Sequence, residues 1–155
     1  MTKIKGSTDM DHSGFIQKFI ALYGGLNKHT LHHLSEIYSS DVQFIDAVHE
    51  INGIDELTDY FTHLYTNLIE CKFTIHHVIE DINLTQGEAT LFWTMNYKHP
   101  KIGKGKSISV EGVSHIKFND KVFYHRDFLD MGQMVYEHLP LIGPMVKFIK
   151  KRVQA

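Results

Sequence analysis

Residues 107–129, SISVEGVSHIKFNDKVFYHRDFL, decide the fold. Residues 107–118 and 121–129 each alternate with a period of two, and Asn119-Asp120 between them is short enough for a hairpin turn. Val122, Phe123, Tyr124, Phe128 and Leu129 are strand-favouring or apolar. Alternation places His125 and Asp127 on one face of the second strand and Tyr124, Arg126 and Phe128 on the other. A histidine and a carboxylate that share a strand face look into water, into a core or into a pocket. The surrounding elements decide among the three.

Upstream, residues 71–82 (CKFTIHHVIEDI) and 88–98 (EATLFWTMNYK) repeat the same period. Thr85-Gln86-Gly87 supplies a short turn between them, and HPKIGKGK at 99–106 a longer connector. Four successive strands imply an antiparallel meander. Before it, Phe15, Ile16, Phe19, Ile20, Tyr23 and Leu26 recur at helical spacing from Ser13 onward. Thr30 is placed to cap a second, shorter helix carrying Leu31, Leu34, Ile37 and Tyr38. Val42, Phe44 and Asp46 then alternate as a short strand. Asn52-Gly53 opens a third helix, with Asp55 and Glu56 suitably placed in its first turn. After the sheet, residues 131–138 read as helical, Pro140 interrupts, and 144–153 form an amphipathic helix with Pro144 suited to its first position.

Helices followed by an antiparallel sheet give an α+β class, with a curved antiparallel sheet wrapped around N-terminal helices. The expected organisation is a flexible lead-in at 1–12, a single domain at 13–138, and a helical extension at 139–155. Such a cone is either filled by side chains or leaves a cavity.

The 155-residue chain is long enough for one core, and its 43% apolar and 22% charged residues are ordinary for a globular protein. A net charge of −2 and the lack of a basic stripe through the body argue against nucleic acid as a partner. The first fourteen residues are polar and do not read as a secretion signal or membrane anchor. Cys71 is the only cysteine, which excludes an internal disulfide and makes the cytoplasm the default compartment. Twelve histidines make the net charge pH-sensitive. His29 and His33 have four-residue spacing, while His32-His33 and His76-His77 are neighbours expected to diverge. None of these gathers a ligand set, and the sequence assigns no metal and no cofactor. It also contains no glycine-rich phosphate cradle, no GxSxG elbow and no Cys/His nucleophile pattern.

YSSDVQFID at 38–46, NGIDEL at 52–57 and YHRDFLD at 124–130, in this order and with this arrangement of elements, resemble the nuclear transport factor 2-like superfamily over about residues 12–138. That superfamily includes ketosteroid isomerase, the SnoaL-like polyketide cyclases and limonene epoxide hydrolase. The resemblance implies a cone-shaped fold with a ligand in its open end, so that His125 and Asp127 face a pocket. Ketosteroid isomerase carries its general base at the end of the short strand, where Asp46 stands here. Tyr23 falls within about one residue of that enzyme's oxyanion tyrosine. Ser114 occupies the place of its protonated aspartate. Asp127 aligns with a water-activating aspartate of limonene epoxide hydrolase, whereas Trp93 and Met95 replace that enzyme's arginine and second aspartate. SnoaL-like cyclases, which need a pocket carboxyl or histidine and no metal, are the better match.

The resemblance therefore implies a cofactor-independent isomerase, cyclase or hydratase acting by carboxyl acid–base proton transfer on a hydrophobic carbonyl compound. Asp46, Asp127, His125 and Tyr23 are its candidate catalytic residues. Trp93, Met95, Phe44 and Ser114 are its candidate ligand contacts. Each has a structural counter-reading: an ion pair for Asp127, a turn aspartate for Asp46, a satisfied core hydroxyl for Tyr23, and ordinary core or strand roles for Trp93, Met95 and Ser114. The competing class is a non-catalytic ligand-binding or dimeric interaction module. Superfamily members often pair through the outer sheet face, which implies a homodimer. The tail combines an apolar side with Lys147, Lys150, Lys151 and Arg152; a lid or packing role is expected, with weak membrane-surface contact as the lesser alternative.

Overall fold

The computed structural model describes residues 13–82 and 86–153. The lead-in at 1–12 and the start of the turn at Thr85 lie outside the described residues. Ser13 caps α1 (Gly14–Gly24), its hydroxyl oxygen accepting from Ile16 N at 3.3 Å. The same residue hydrogen-bonds Glu80 through both backbone N–H and hydroxyl, which ties the start of the helix to the sheet. Thr30 does not cap the next helix as expected. Its hydroxyl accepts from Asn27 N and donates to Gly25 O, closing the preceding turn, so Leu31–His33 forms a 3-10 turn before the short α2 (Leu34–Ile37). His29 lies in that turn, so its spacing to His33 is not helical, and His33 bonds Glu36 instead.

Tyr38, expected on the helix, begins strand β1 (Tyr38–Ile45), and Asp46 lies just past its end. A strand absent from the sequence reading, β2 (Glu50–Asn52), pairs back onto β1. Helix α3 (Ile54–Asn67) follows Gly53, whose φ of 92° favours glycine. The long strands β3 (Glu70–Ile82), β4 (Gly87–Lys98), β5 (Ile108–Phe118) and β6 (Val122–Leu129) form the expected antiparallel meander. The six-stranded sheet runs β2-β1-β6-β5-β4-β3. It is mixed, because β1 joins β6 in parallel. Helices α4 (Met131–Met134) and α5 (Ile142–Val153) complete the chain, with a 3-10 turn at Tyr136–His138 between them.

Side chains from Ala89, Leu91, Trp93, Met95 and Tyr97 alternate into the interior along β4. Phe19 and Tyr23 of α1 and Leu57, Phe61 and Tyr65 of α3 pack with Leu91, Ile116 and Val122 in one cluster. Each large side chain buried in this way contributes about 1.5–3 kcal/mol. A second cluster, nearer α4, comprises Trp93, Met95, Tyr97, Ile108 and Val110. Cys71, Phe73 and Ile75 of β3 are only partly buried and pack against both, marking the seam between them. Gly112 stands opposite Trp93, where a Cβ would come within 2.2 Å of the indole; glycine leaves the space that the ring fills.

On the outer face, a register shift between Ile75 and His77 corrects the expectation that His76 and His77 diverge. His76 Nε2 lies 2.6 Å from Thr94 Oγ1 and the His77 ring packs on Phe92, so both histidines are on the exposed side.

Candidate functional site

The parallel register Phe44↔His125 and Ile45↔Arg126 sets the end of β1 beside the end of β6. Strand alternation then directs Phe44, His125, Asp46 and Asp127 to the same inner side. Ser114 pairs with Asp127 across β5 and β6, and Trp93 reaches Ser114 from β4. Three strands thus bring four polar side chains together although no two of them are consecutive in sequence.

The hydrogen bonds run in one direction. Trp93 Nε1–H, which can only donate, gives to Ser114 Oγ at 2.8 Å, and Ser114 gives to Asp127 Oδ1 at 2.5 Å. His125 Nε2 is 2.8 Å from the same Oδ1, and its Nδ1 is 2.7 Å from the Tyr38 hydroxyl. Asp127 Oδ1 accepts from His125 Nε2–H, and His125 Nδ1 shares a hydrogen bond with the Tyr38 hydroxyl. His125 is fully buried and Ser114 is 2% exposed. The rings of Phe19, Tyr23, Tyr38 and Phe44 surround the imidazole, Phe44 most closely at 4.7 Å between centroids.

Asp127 is held by one oxygen only. Its side chain is 9% exposed, and Oδ2 has no donor among the described residues. Tyr23 Oη likewise has no hydrogen-bond partner among them. Ser39 Oγ is the one fully enclosed side-chain polar atom without a partner among the described residues. Burial, followed by the Asp127 charge, raises the Tyr23 hydroxyl well above its ordinary pKa and keeps it a donor. Burial and the same charge raise Tyr38.

Asp46 is occupied differently. Its Oδ1 accepts from the N–H groups of Val48 and His49 at 2.8 and 2.6 Å, and its Oδ2 accepts the Tyr60 hydroxyl at 2.7 Å. His49 Nδ1 lies 3.1 Å from both oxygens. Burial by itself would raise this carboxyl, but the bonds from Tyr60, Val48 and His49 outweigh it and hold the group below the ordinary carboxylate value. The turn role weighed for Asp46 is realised. The charge of Asp46 and, further off, that of Asp127 both act on Tyr60, which burial and these charges raise strongly.

Trp93 and Met95 form the wall of the second cluster, and Phe44 that of the first. Tyr38 and Tyr60 are the site residues that the sequence reading passed over. Each stands in an apolar helical or strand pattern, and the available signal was that a buried tyrosine hydroxyl needs a partner. Burial pushes the Cys71 thiol up to about 12. Two open hollows lie elsewhere: about 390 Å³ on the outer sheet face by Phe92, Val113 and Phe128, and about 530 Å³ beside Asp41, Lys121 and Phe123. Among the described residues no group of three or more His, Cys, Asp or Glu is arranged to hold a metal ion.

Among solved structures, the fold is similar to a nuclear transport factor 2-like protein of unknown function from Burkholderia pseudomallei, with 17% identity, TM-score 0.68, and 79% of this chain and 95% of that chain covered. A candidate SnoaL-like polyketide cyclase from Shewanella putrefaciens matches at 19% identity and TM-score 0.61, covering 77% and 90% of the two chains. TerC, co-crystallised with polyporic acid, matches at 16% identity and TM-score 0.63, covering 75% and 91%. No curated protein sequence matches the chain. The family model for the SnoaL-like domain matches residues 17–125, more than half of the 155 residues, and the chain therefore belongs to the SnoaL-like domain family.

Proposed function

We propose that this protein binds a hydrophobic carbonyl compound and catalyses cofactor-independent proton transfer on it, as an isomerase, cyclase or hydratase. The observation that carries the reading is the pair of unsatisfied groups on the inner side. Asp127 is fixed through Oδ1 while Oδ2 takes no protein donor, and the Tyr23 hydroxyl nearby has no partner among the described residues. In the reaction, Asp127 Oδ2 takes a proton from the carbon next to the carbonyl. Tyr23 donates a hydrogen bond to the oxygen as it becomes an enolate. Return of the proton at another carbon gives an isomer, and attack of the enolate carbon on a second carbonyl closes a ring. His125 and Ser114 position the carboxylate, while Trp93, Met95 and Phe44 form the apolar wall. Asp46, already saturated, acts by fixing the Tyr60 hydroxyl. Co-crystallisation of TerC, a protein of similar fold, with polyporic acid supports small-molecule binding.

The test is hydrogen–deuterium exchange at the carbon next to the carbonyl, followed by proton NMR in D2O over a panel of hydrophobic diketones and aryl ketones. Exchange above buffer is expected with the wild type, is lost in Asp127→Asn, and falls by about a hundredfold in Tyr23→Phe. Exchange that survives Asp127→Asn overturns the assignment of the base. Binding of panel members with no exchange by the wild type supports the second reading, a non-catalytic ligand-binding module, which the close ring packing around His125 favours. Either form is expected to pair through the outer sheet face, where Ile79, Phe92 and Phe128 are exposed. A monomer by light scattering at micromolar concentration would remove the homodimer.

A further inference from the structure

Helix α5 is attached with its sides reversed. Ile142, Met145, Ile149 and Val153 recur at three- and four-residue spacing along one face, with Phe148 at its edge. In a helix docked on a core that stripe is buried. Here all five residues are exposed, from 42% at Ile142 to 82% at Val153, and Leu141 before them is 91% exposed. The side turned to the body carries Gly143, the half-buried Val146 and Lys150. Gly143 lies so close to the 3-10 turn that a Cβ would sit 2.4 Å from the Glu137 carbonyl oxygen. Lys150 Nζ pairs with Asp130 at 2.6 Å and Glu137 at 2.7 Å. Asp130 also caps α4, so these bonds fix α5 to the segment that follows β6. The element against which α5 mainly packs is the 3-10 turn.

Charge identifies what covers the stripe. Residues 139–155 contain four cations and no acidic residue, in a chain of net charge −2. Lys150 is paired internally. Lys147 and Lys151 lie on the helix face opposite the stripe, and the Arg152 guanidinium, at the stripe itself, lies 5.6 Å from the Phe148 ring. A second copy of this helix would answer apolar surface with apolar surface but bring no counter-charge to Lys147, Lys151 and Arg152. An anionic lipid surface answers both. At 12 residues the helix is about 18 Å long, against a hydrocarbon core of about 30 Å, which fits it to lie in the interface. No helix among the described residues is long and apolar enough to cross a membrane.

We propose that α5 docks the protein on anionic membranes, inserting Leu141, Ile142, Met145, Phe148, Ile149 and Val153 among the acyl chains with Lys147, Lys151 and Arg152 at the headgroups. This inference is independent of the proposed reaction. The experiment is co-sedimentation of the full chain with phosphatidylcholine vesicles, with and without phosphatidylglycerol, at low and high salt. The protein should pellet with the phosphatidylglycerol vesicles at low salt and be released by high salt. Each of Lys147→Ala and Lys151→Ala should weaken binding about fivefold. Phe148→Glu combined with Ile149→Glu should abolish it with an unchanged thermal melt, since both side chains are solvent-facing. Three results overturn the proposal: protein left in the supernatant with both vesicles, equal pelleting with neutral and anionic vesicles, or full binding by the double glutamate variant. A wild-type dimer that the same variant makes monomeric, without vesicle binding, would reassign the ridge to self-association.

Discussion

Two substitutions at Asp127 separate its role as an anchor from its charge. In Asp127→Ala, His125 Nε2–H and Ser114 O–H both lose the oxygen on which they converge. Each orphaned buried donor costs about 1–3 kcal/mol, so the loss is about 4 kcal/mol. Asparagine keeps an amide oxygen at the Oδ1 position and puts its NH2 at Oδ2, toward which no described donor points. Two charge-assisted bonds become neutral ones, a loss of about 1 kcal/mol each, and relief from burying an anion offsets part of it. Asp127→Asn should therefore cost about 1 kcal/mol. The assay is equilibrium urea unfolding by far-ultraviolet circular dichroism. In thermal melts each kcal/mol should lower Tm by about 2–4 °C for a chain of this length. Equal destabilisation by asparagine and alanine would refute the convergence on Oδ1. So would a neutral alanine variant.

Further expectations test other parts of the structure. Asp46 titrates below its ordinary value when folded, so in the window beneath about 3.9 the unfolded chain binds more protons; its stabilisation is full above that value and is lost as pH falls through the folded one. The stability gap between wild type and Asp46→Asn should accordingly shrink between about pH 6 and about pH 3, and a constant gap would contradict the assignment. Gly112→Ala forces a methyl into the indole of Trp93, the only tryptophan; it should cost about 1–3 kcal/mol and shift the emission maximum, whereas an unmoved maximum would deny the contact. With its thiol raised to about 12, Cys71 should alkylate far more slowly in the native protein than in urea, and equal rates would show that the seam is open to water.

The meander was legible because its four strands carry a period of two, broken in β3 at His76-His77, and the shared face of His125 and Asp127 followed from that period alone. Helix α1 was legible from Ser13 onward because its apolar residues recur at three- and four-residue spacing. The strand β2 was not, since Glu50-Ile51-Asn52 is too short to show any alternation. Parallel pairing of β1 with β6 was equally hidden, because which strand lies beside which depends on contacts distant in sequence. The site shows the same division. Asp127, His125, Ser114 and Trp93 were each singled out, yet the order in which they bond depends on cross-strand register. Tyr38 was read as part of an apolar helical stripe, and only its place in β1 turns its hydroxyl onto His125. Asp46 had two equally good local readings, and Tyr60, reaching it from α3, fills the oxygen that its own turn leaves open.

The parallel pair has a consequence for synthesis. Tyr38 and His125 are 87 residues apart, and β1 has β2 on one edge and β6 on the other. While the chain is being made, β1 presents an unpaired edge until residues 122–129 have emerged. Exposed edges recruit other strands, and pairings between distant segments form slowly. The inner hydrogen-bond network is therefore among the last features to assemble. Changes that weaken β6 should lower the yield of folded protein at the ribosome through aggregation, even when the finished molecule tolerates them.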